Sequence, residues 1–288
     1  MKLQELLLGF LVCAIIVVLC VAAWRNLKKG KGKKPNTGTT TLSPTLQWLN
    51  TAGAILLAVN KGDFHYMGGM YIPGNEQDNR KLESIKTMLR NYWEIDGHES
   101  AMETMAHLVS SGMRSRYWRD MVLLETVFSQ YSEQELIEEA RKHNPNANAE
   151  SLLPKTLMAY RKYGENALLG WDVGRAAYII QCCYFVGYVS MEEVLEIGVE
   201  AGKLAQECFK NWDELMESYL LGGQYWQEED ANEPNSMTAG RRKLCEKLRN
   251  GTGKYKVNPY QMVAFQTPLS KEVMTDQYGM MPASQAYA

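Results

Sequence analysis

From Ser43 onward, apolar residues recur at the period of an amphipathic helix. Ser43-Pro44 reads as a helix start, a hydroxyl cap followed by proline at the first helical position, with Leu46, Leu49, Leu56 and Leu57 on one side. After the glycine-rich stretch MGGMYIPGN, residues 76–93 carry Leu82, Ile85, Leu89 and Trp93 at helical spacing. Asp96 with Glu99 resembles a capping box, and a Met102, Met105, Val109 stripe follows until Gly112 closes it. Ser132 with Glu135, and Ser190 with Glu193, repeat the capping signature, while RKHNPNANAE breaks the chain near residue 145. No run alternates with the period of a strand. The expected fold class is all-α, a single multi-helix domain of about eight to ten helices.

Two segments depart from this pattern. Residues 165–188 are apolar nearly all round, as expected of a central helix buried by its neighbours, yet they include Asp172, Arg175 and Gln181. Those charges also argue against a membrane span there, since each costs roughly 2.5–3.5 kcal/mol in lipid. Leu6 to Trp24, in contrast, is uncharged throughout and reaches roughly 29 Å as a helix, about the thickness of a bilayer core. Basic residues crowd its carboxyl side: Arg25, Lys28, Lys29, Lys31, Lys33 and Lys34. That asymmetry predicts an uncleaved, single-pass anchor in the inner (plasma) membrane with the main domain cytoplasmic, touching lipid through residues 6–34. A cleaved leader would carry its charge on the other flank. The expected organisation is a short flank at 1–5, the transmembrane anchor at 6–24 and a basic flexible linker at 25–45. A helical domain at 46–228, a C-terminal helix at 229–249 and an extended or disordered tail at 250–288 follow.

Charge sharpens the picture. The formal net charge of −2 comes from 31 basic and 33 acidic residues. Residues 1–34 hold seven of the basic residues and only Glu5, which leaves 24 against 32, about −8, on the remainder. So acidic a body does not grip nucleic acid. Cys13, Cys20, Cys182, Cys183, Cys208 and Cys245 follow no metal spacing and read as reduced thiols.

The stretches LLGWDVGRAAYIIQCCYFVGYVSMEEV and CFKNWDELMESYLLGGQYW resemble the bacterial family known as domain of unknown function 1266. The resemblance rests on Trp171, Asp172, Arg175, Gly187, Tyr188, Trp212, Tyr219, Gly222 and Trp226, and on the upstream LRNYWEIDGHESAMETMAHL. It covers roughly residues 46–228, with Gly223 where the pattern has a basic residue, and it implies an α-helical domain with no established activity.

Candidate chemistry is sparse. Asp172 and Arg175 stand three apart and share a helix face, which fits either of two readings. One is a buried pair that fixes packing. The other is the charged floor of a ligand pocket involving Trp171, Asp172, Arg175, Tyr188, Trp212 and Tyr219, with Tyr178 as a further wall. Glu99, Glu103 and His107 lie along one helix face at the wrong spacing for a paired Glu-x-x-His metal site and read as solvated. RSRYWRD interleaves Arg114, Arg116 and Arg119 with Tyr117 and Trp118 and reads as a helix-start surface. Trp212, Tyr219 and Trp226, seven apart, read as aromatic pillars of the core. No phosphate-binding glycine loop, G-x-S-x-G or H-E-x-x-H is present, so the expectation is no cofactor, no metal and no catalytic set. The leading functional expectation is a membrane-anchored protein-interaction or regulatory module. The alternatives are a small-ligand binder or enzyme built on Asp172 and Arg175, and an immunity-like protein that masks a basic toxin.

Overall fold

The computed structural model describes residues 42–70, 76–231, 233–253 and 255–273. The expected anchor at 6–24 and the linker as far as residue 41 lie outside them, as do residues 274–288. Among the described residues all regular structure is helical, and no helix is long and apolar enough to cross a membrane.

Chain order begins with α1 (Pro44–Ala52) and α2 (Ala54–Val59), which Gly53 separates where the periodicity reads as one helix. Ser43 Oγ accepts from Leu46 N, and Leu46, Trp48 and Leu49 are fully buried. The loop after α2 is drawn inward because Asn50 donates to the carbonyls of Phe64 and Tyr66 while its Oδ1 accepts from Gly68 N. Gln181, the amide in the apolar stretch, accepts from the same Gly68 N–H at 2.7 Å and donates to Ala177 O. Its polarity is spent on holding that loop.

Next come α3 (Glu76–Trp93), α4 (His98–Ser110), α5 (Arg114–Phe128), α6 (Glu133–Arg141) and α7 (Leu152–Tyr163). The cap of α4 sits one residue later than the sequence suggests. Gly97 is the cap, and Ser100 Oγ accepts from both Asp96 N and Gly97 N, so Glu99 takes no part. The two other expected boxes form as read: Ser132 with Glu135 starts α6, and Ser190 with Glu193 starts α9 (Met191–Cys208).

A 3-10 turn at Gly164–Leu168 leads into α8 (Leu169–Phe185), in which every residue except Arg175 is buried. Around it pack α9, α10 (Trp212–Gln227), α4 and α1. Gly222 lets α10 come this close, since a Cβ there would overlap Trp171 Cβ. A smaller second core of Tyr117, Met121, Leu136, Leu157 and Leu221 joins α5, α6 and α7 to the far side of α10.

After α11 (Met237–Arg249), the described residues 250–253 and 255–273 form a strap that includes a 3-10 turn at Pro259–Gln261. Two buried indoles hold it: Trp48 Nε1 donates to Phe265 O at 2.8 Å and Trp212 Nε1 to Val263 O at 3.0 Å. Gln206 donates to the carbonyls of Phe265 and Thr267, and Phe265 packs edge-on to Trp212 with centroids 5.0 Å apart. The packed body thus continues past residue 249.

Two outcomes follow from this packing. Phe265→Ala should cost about 3–5 kcal/mol in denaturant unfolding of the full chain, the usual loss for a buried phenylalanine; an unchanged midpoint would mean the strap adds nothing. Glu193 is held below the ordinary glutamate range, first by the Ser190 N–H and further by His98, whose Nε2 lies 2.6 Å from it. A group with a lowered native pKa contributes stability at neutral pH and loses it as pH falls through that value, below about pH 4.5. Melting temperature against pH should therefore be flatter between about pH 5 and 3 for Glu193→Gln than for the parent.

Candidate functional site

Asp172 has no exposed surface, and burial is the main reason its pKa rises. Two partners oppose that cost directly. Arg175 donates to Oδ1 at 2.6 Å, and Met113 N donates to the same oxygen at 3.1 Å. Arg114 adds charge without a hydrogen bond, its Nε lying 3.8 Å from Oδ2, which has no hydrogen-bond partner among the described residues. Arg114 is itself anchored by a 2.6 Å bond to Val109 O. The carboxylate thus ties the α4–α5 corner to α8. Gly112 makes the approach possible, because its φ of +49° suits glycine and a Cβ there would overlap the carboxylate.

Beside this latch lies a cationic and aromatic layer. Arg175 Nε donates to Trp171 O, and its guanidinium sits 4.7 Å from the Trp171 ring centre and 5.8 Å from that of Trp93. A second guanidinium, that of Arg241 on α11, lies 4.9 Å from the Trp171 ring centre and 5.8 Å from that of Tyr219. Trp171 and Tyr219 have centroids 5.0 Å apart, and Trp226 stands 6.1 Å from Trp171. Trp171 and Tyr219 are 3% and 1% exposed, whereas Trp226 is 48% exposed and borders the layer from solvent. Trp171 Nε1, Tyr219 Oη and one terminal nitrogen of Arg241 are buried with no hydrogen-bond partner among the described residues. Burial raises the Tyr219 pKa, while the charges of Arg241 and Arg175 pull it down.

Of the expected pocket residues, the structure brings together Trp171, Asp172, Arg175 and Tyr219. Tyr188 does not join them: it lies in the turn beyond Phe185, the last residue of α8, which is about 21 Å of helix rise from Trp171. Trp212 is also elsewhere, about 10 Å back along α10 from Tyr219 and stacked among Trp48, Tyr260 and Phe265. Tyr178 is buried in the main core. Trp226 is not a core pillar, because α10 ends one residue later and leaves the ring half in solvent. The RSRYWRD surface divides: Arg114 and Tyr117 turn inward, Tyr117 donating to Thr156 O, while Arg116, Trp118 and Arg119 stay exposed. Glu99, Glu103 and His107 are exposed, and no grouping of three metal-binding side chains occurs among the described residues.

Arg241 was not singled out in the sequence, where GRRKLCEKLRN reads as an ordinary basic helix. The one signal was Gly223. A Cβ there would lie 3.0 Å from an Arg241 terminal nitrogen, so the bare backbone of Gly223 on α10 leaves room for the guanidinium that α11 brings across.

An all-helical module with a buried carboxylate latch and an adjoining layer of unpaired donors is the class this geometry defines. The family model described as "Protein of unknown function (DUF1266)" matches residues 88–265, and the chain belongs to that family. The match starts after α1 and α2 and runs through α11 into the strap as far as Phe265. No curated protein and no solved structure matches the chain.

The latch predicts that Gly112→Ala costs about 3–5 kcal/mol in urea unfolding, as much as breaking a buried ion pair, because the new methyl displaces the carboxylate from Met113 N and Arg175. A loss of only about 1–2 kcal/mol, the ordinary penalty for alanine at a left-handed position, would show that the corner yields without disturbing Asp172.

Proposed function

We propose that this protein is a non-catalytic, membrane-tethered module that binds a small molecule in the layer formed by Trp171, Arg175, Tyr219 and Arg241. One observation carries the reading: buried donors of Trp171, Tyr219 and Arg241 lie around one ring pair with no acceptor among the described residues. Buried donors left unpaired cost about 1–3 kcal/mol each, a cost that a bound acceptor removes. Asp172 serves this site from behind, as the latch that fixes Arg175, and does not itself line it. The tether is the uncharged stretch at 6–24, and the lysines that follow put the body on the cytoplasmic face.

A docking role toward a protein partner draws support from a different surface. On α5, Leu123 and Val127 stand one turn apart and are 67% and 65% exposed, an apolar strip facing solvent.

Native mass spectrometry of the full chain, extracted from membranes in mild detergent, tests the ligand reading. The expected spectrum carries a small-molecule mass increment at near-unit occupancy, diminished in Arg241→Gln. A parent that flies at its bare sequence mass under the gentlest conditions rejects it. Deleting residues 6–24 should release the chain from the membrane fraction, and continued sedimentation with membranes would reject the tether.

A further inference from the structure

The unpaired layer has a chemical sign. Indole and guanidinium N–H groups donate and cannot accept, so two of the three orphaned groups call for an acceptor, and the Tyr219 hydroxyl is free to donate as well. Charge points the same way. Arg175 spends its guanidinium on Asp172 and Trp171 O, whereas Arg241 has no carboxylate within ion-pair distance among the described residues. Its two neighbours on α11 differ: Arg242 is paired with Glu150 and Glu217, and Lys243 is exposed. Arg241 also faces the like charge of Arg175, which feels its repulsion. An unpaired guanidinium over a buried tryptophan, near a second cation, is an arrangement completed by negative charge.

Resting on the ligand-binding reading above, we propose that Arg241, Trp171 Nε1 and Tyr219 Oη form a site for a small oxyanion, a phosphate or carboxylate group. Arg175 stands beside the anion, and Trp226, half exposed, flanks the approach. Phosphate and carboxylate oxygens match the fork of Arg241 and can also take the indole and phenol protons. The same group can arrive on a soluble compound or on a lipid headgroup. The near-complete burial of Trp171 and Tyr219 favours the soluble source.

The full chain in neutral detergent is melted with inorganic phosphate or acetate against chloride at matched ionic strength, and again in bilayers with and without phosphatidylglycerol. The expected result is a higher melting temperature with phosphate or acetate and none from the lipid. Arg241→Gln should weaken the apparent affinity about ten- to hundredfold, the worth of a charge-assisted hydrogen bond, while Lys243→Gln leaves it unchanged. Tyr219→Phe, which removes only the hydroxyl, should weaken it less and serves where Arg241→Gln does not fold. A response to phosphatidylglycerol alone, lost in the same variants, keeps the oxyanion and assigns it to a headgroup. No response in any arm, or one that survives both variants, overturns the proposal. A bound mass that proves neutral or cationic overturns it too, yet leaves the ligand-binding reading standing; a bare mass together with no response sinks both.

Discussion

One carboxylate with no access to water sets the arrangement of the central helix. Asp172 is held against the cost of its own burial by a backbone N–H, one direct guanidinium and a second guanidinium at longer range. Such a cluster adds little net stability compared with an apolar substitute of the same shape, but removing one member leaves a buried charge alone. Its value is positional. Met113 and Arg114 begin α5, so the carboxylate locks the α4–α5 corner onto α8. The same bond orients Arg175, which fixes one edge of the aromatic layer.

That layer is an exception to the usual rule that buried polar atoms find partners. Elsewhere among the described residues the unpartnered buried atoms are scattered, as at Tyr184 Oη, Thr238 Oγ1 and Arg249 Nε, while other buried polar groups are satisfied. Asn50, Trp48 and Trp212 each spend their donors on backbone carbonyls of a loop or the strap, and Gln181 accepts from Gly68 N of the same loop as Asn50. Unpaired donors grouped in one place, beside a cation without a counter-charge, mark that place as different in kind from the polar contacts that hold the fold.

Most of the helical plan was legible in the sequence because it follows from local chemistry. Ser43-Pro44, Ser132 with Glu135, and Ser190 with Glu193 announce helix starts through bonds made within one turn, and no distant residue is needed to interpret them. Asp96 misled because a serine four residues on competes for the same N–H groups. The buried helix was visible from its unbroken apolar run, and Asp172 and Arg175 stood out by contrast. What was not legible is whatever depends on a second helix. Gly112 reads as a helix stop and gives no sign of the carboxylate pressed against it. Arg241 is one basic residue among several in its helix, and only three-dimensional packing separates it from Arg242. Tyr188 and Trp212 look like companions of Trp171 in the sequence pattern, yet helix rise alone carries them away from it.

The strap has a topological consequence. Thr45 Oγ1 donates to Ser270 O at 3.1 Å and accepts from Ser270 N at 2.9 Å, so the first turn of α1 and the end of the strap are stitched side by side. The packed body begins and finishes at one seam, and its path is nearly a closed circuit. A chain of that kind tolerates being joined across the seam and reopened at an exposed surface loop such as 142–146, because the order in which the helices are strung matters less than the contacts they make.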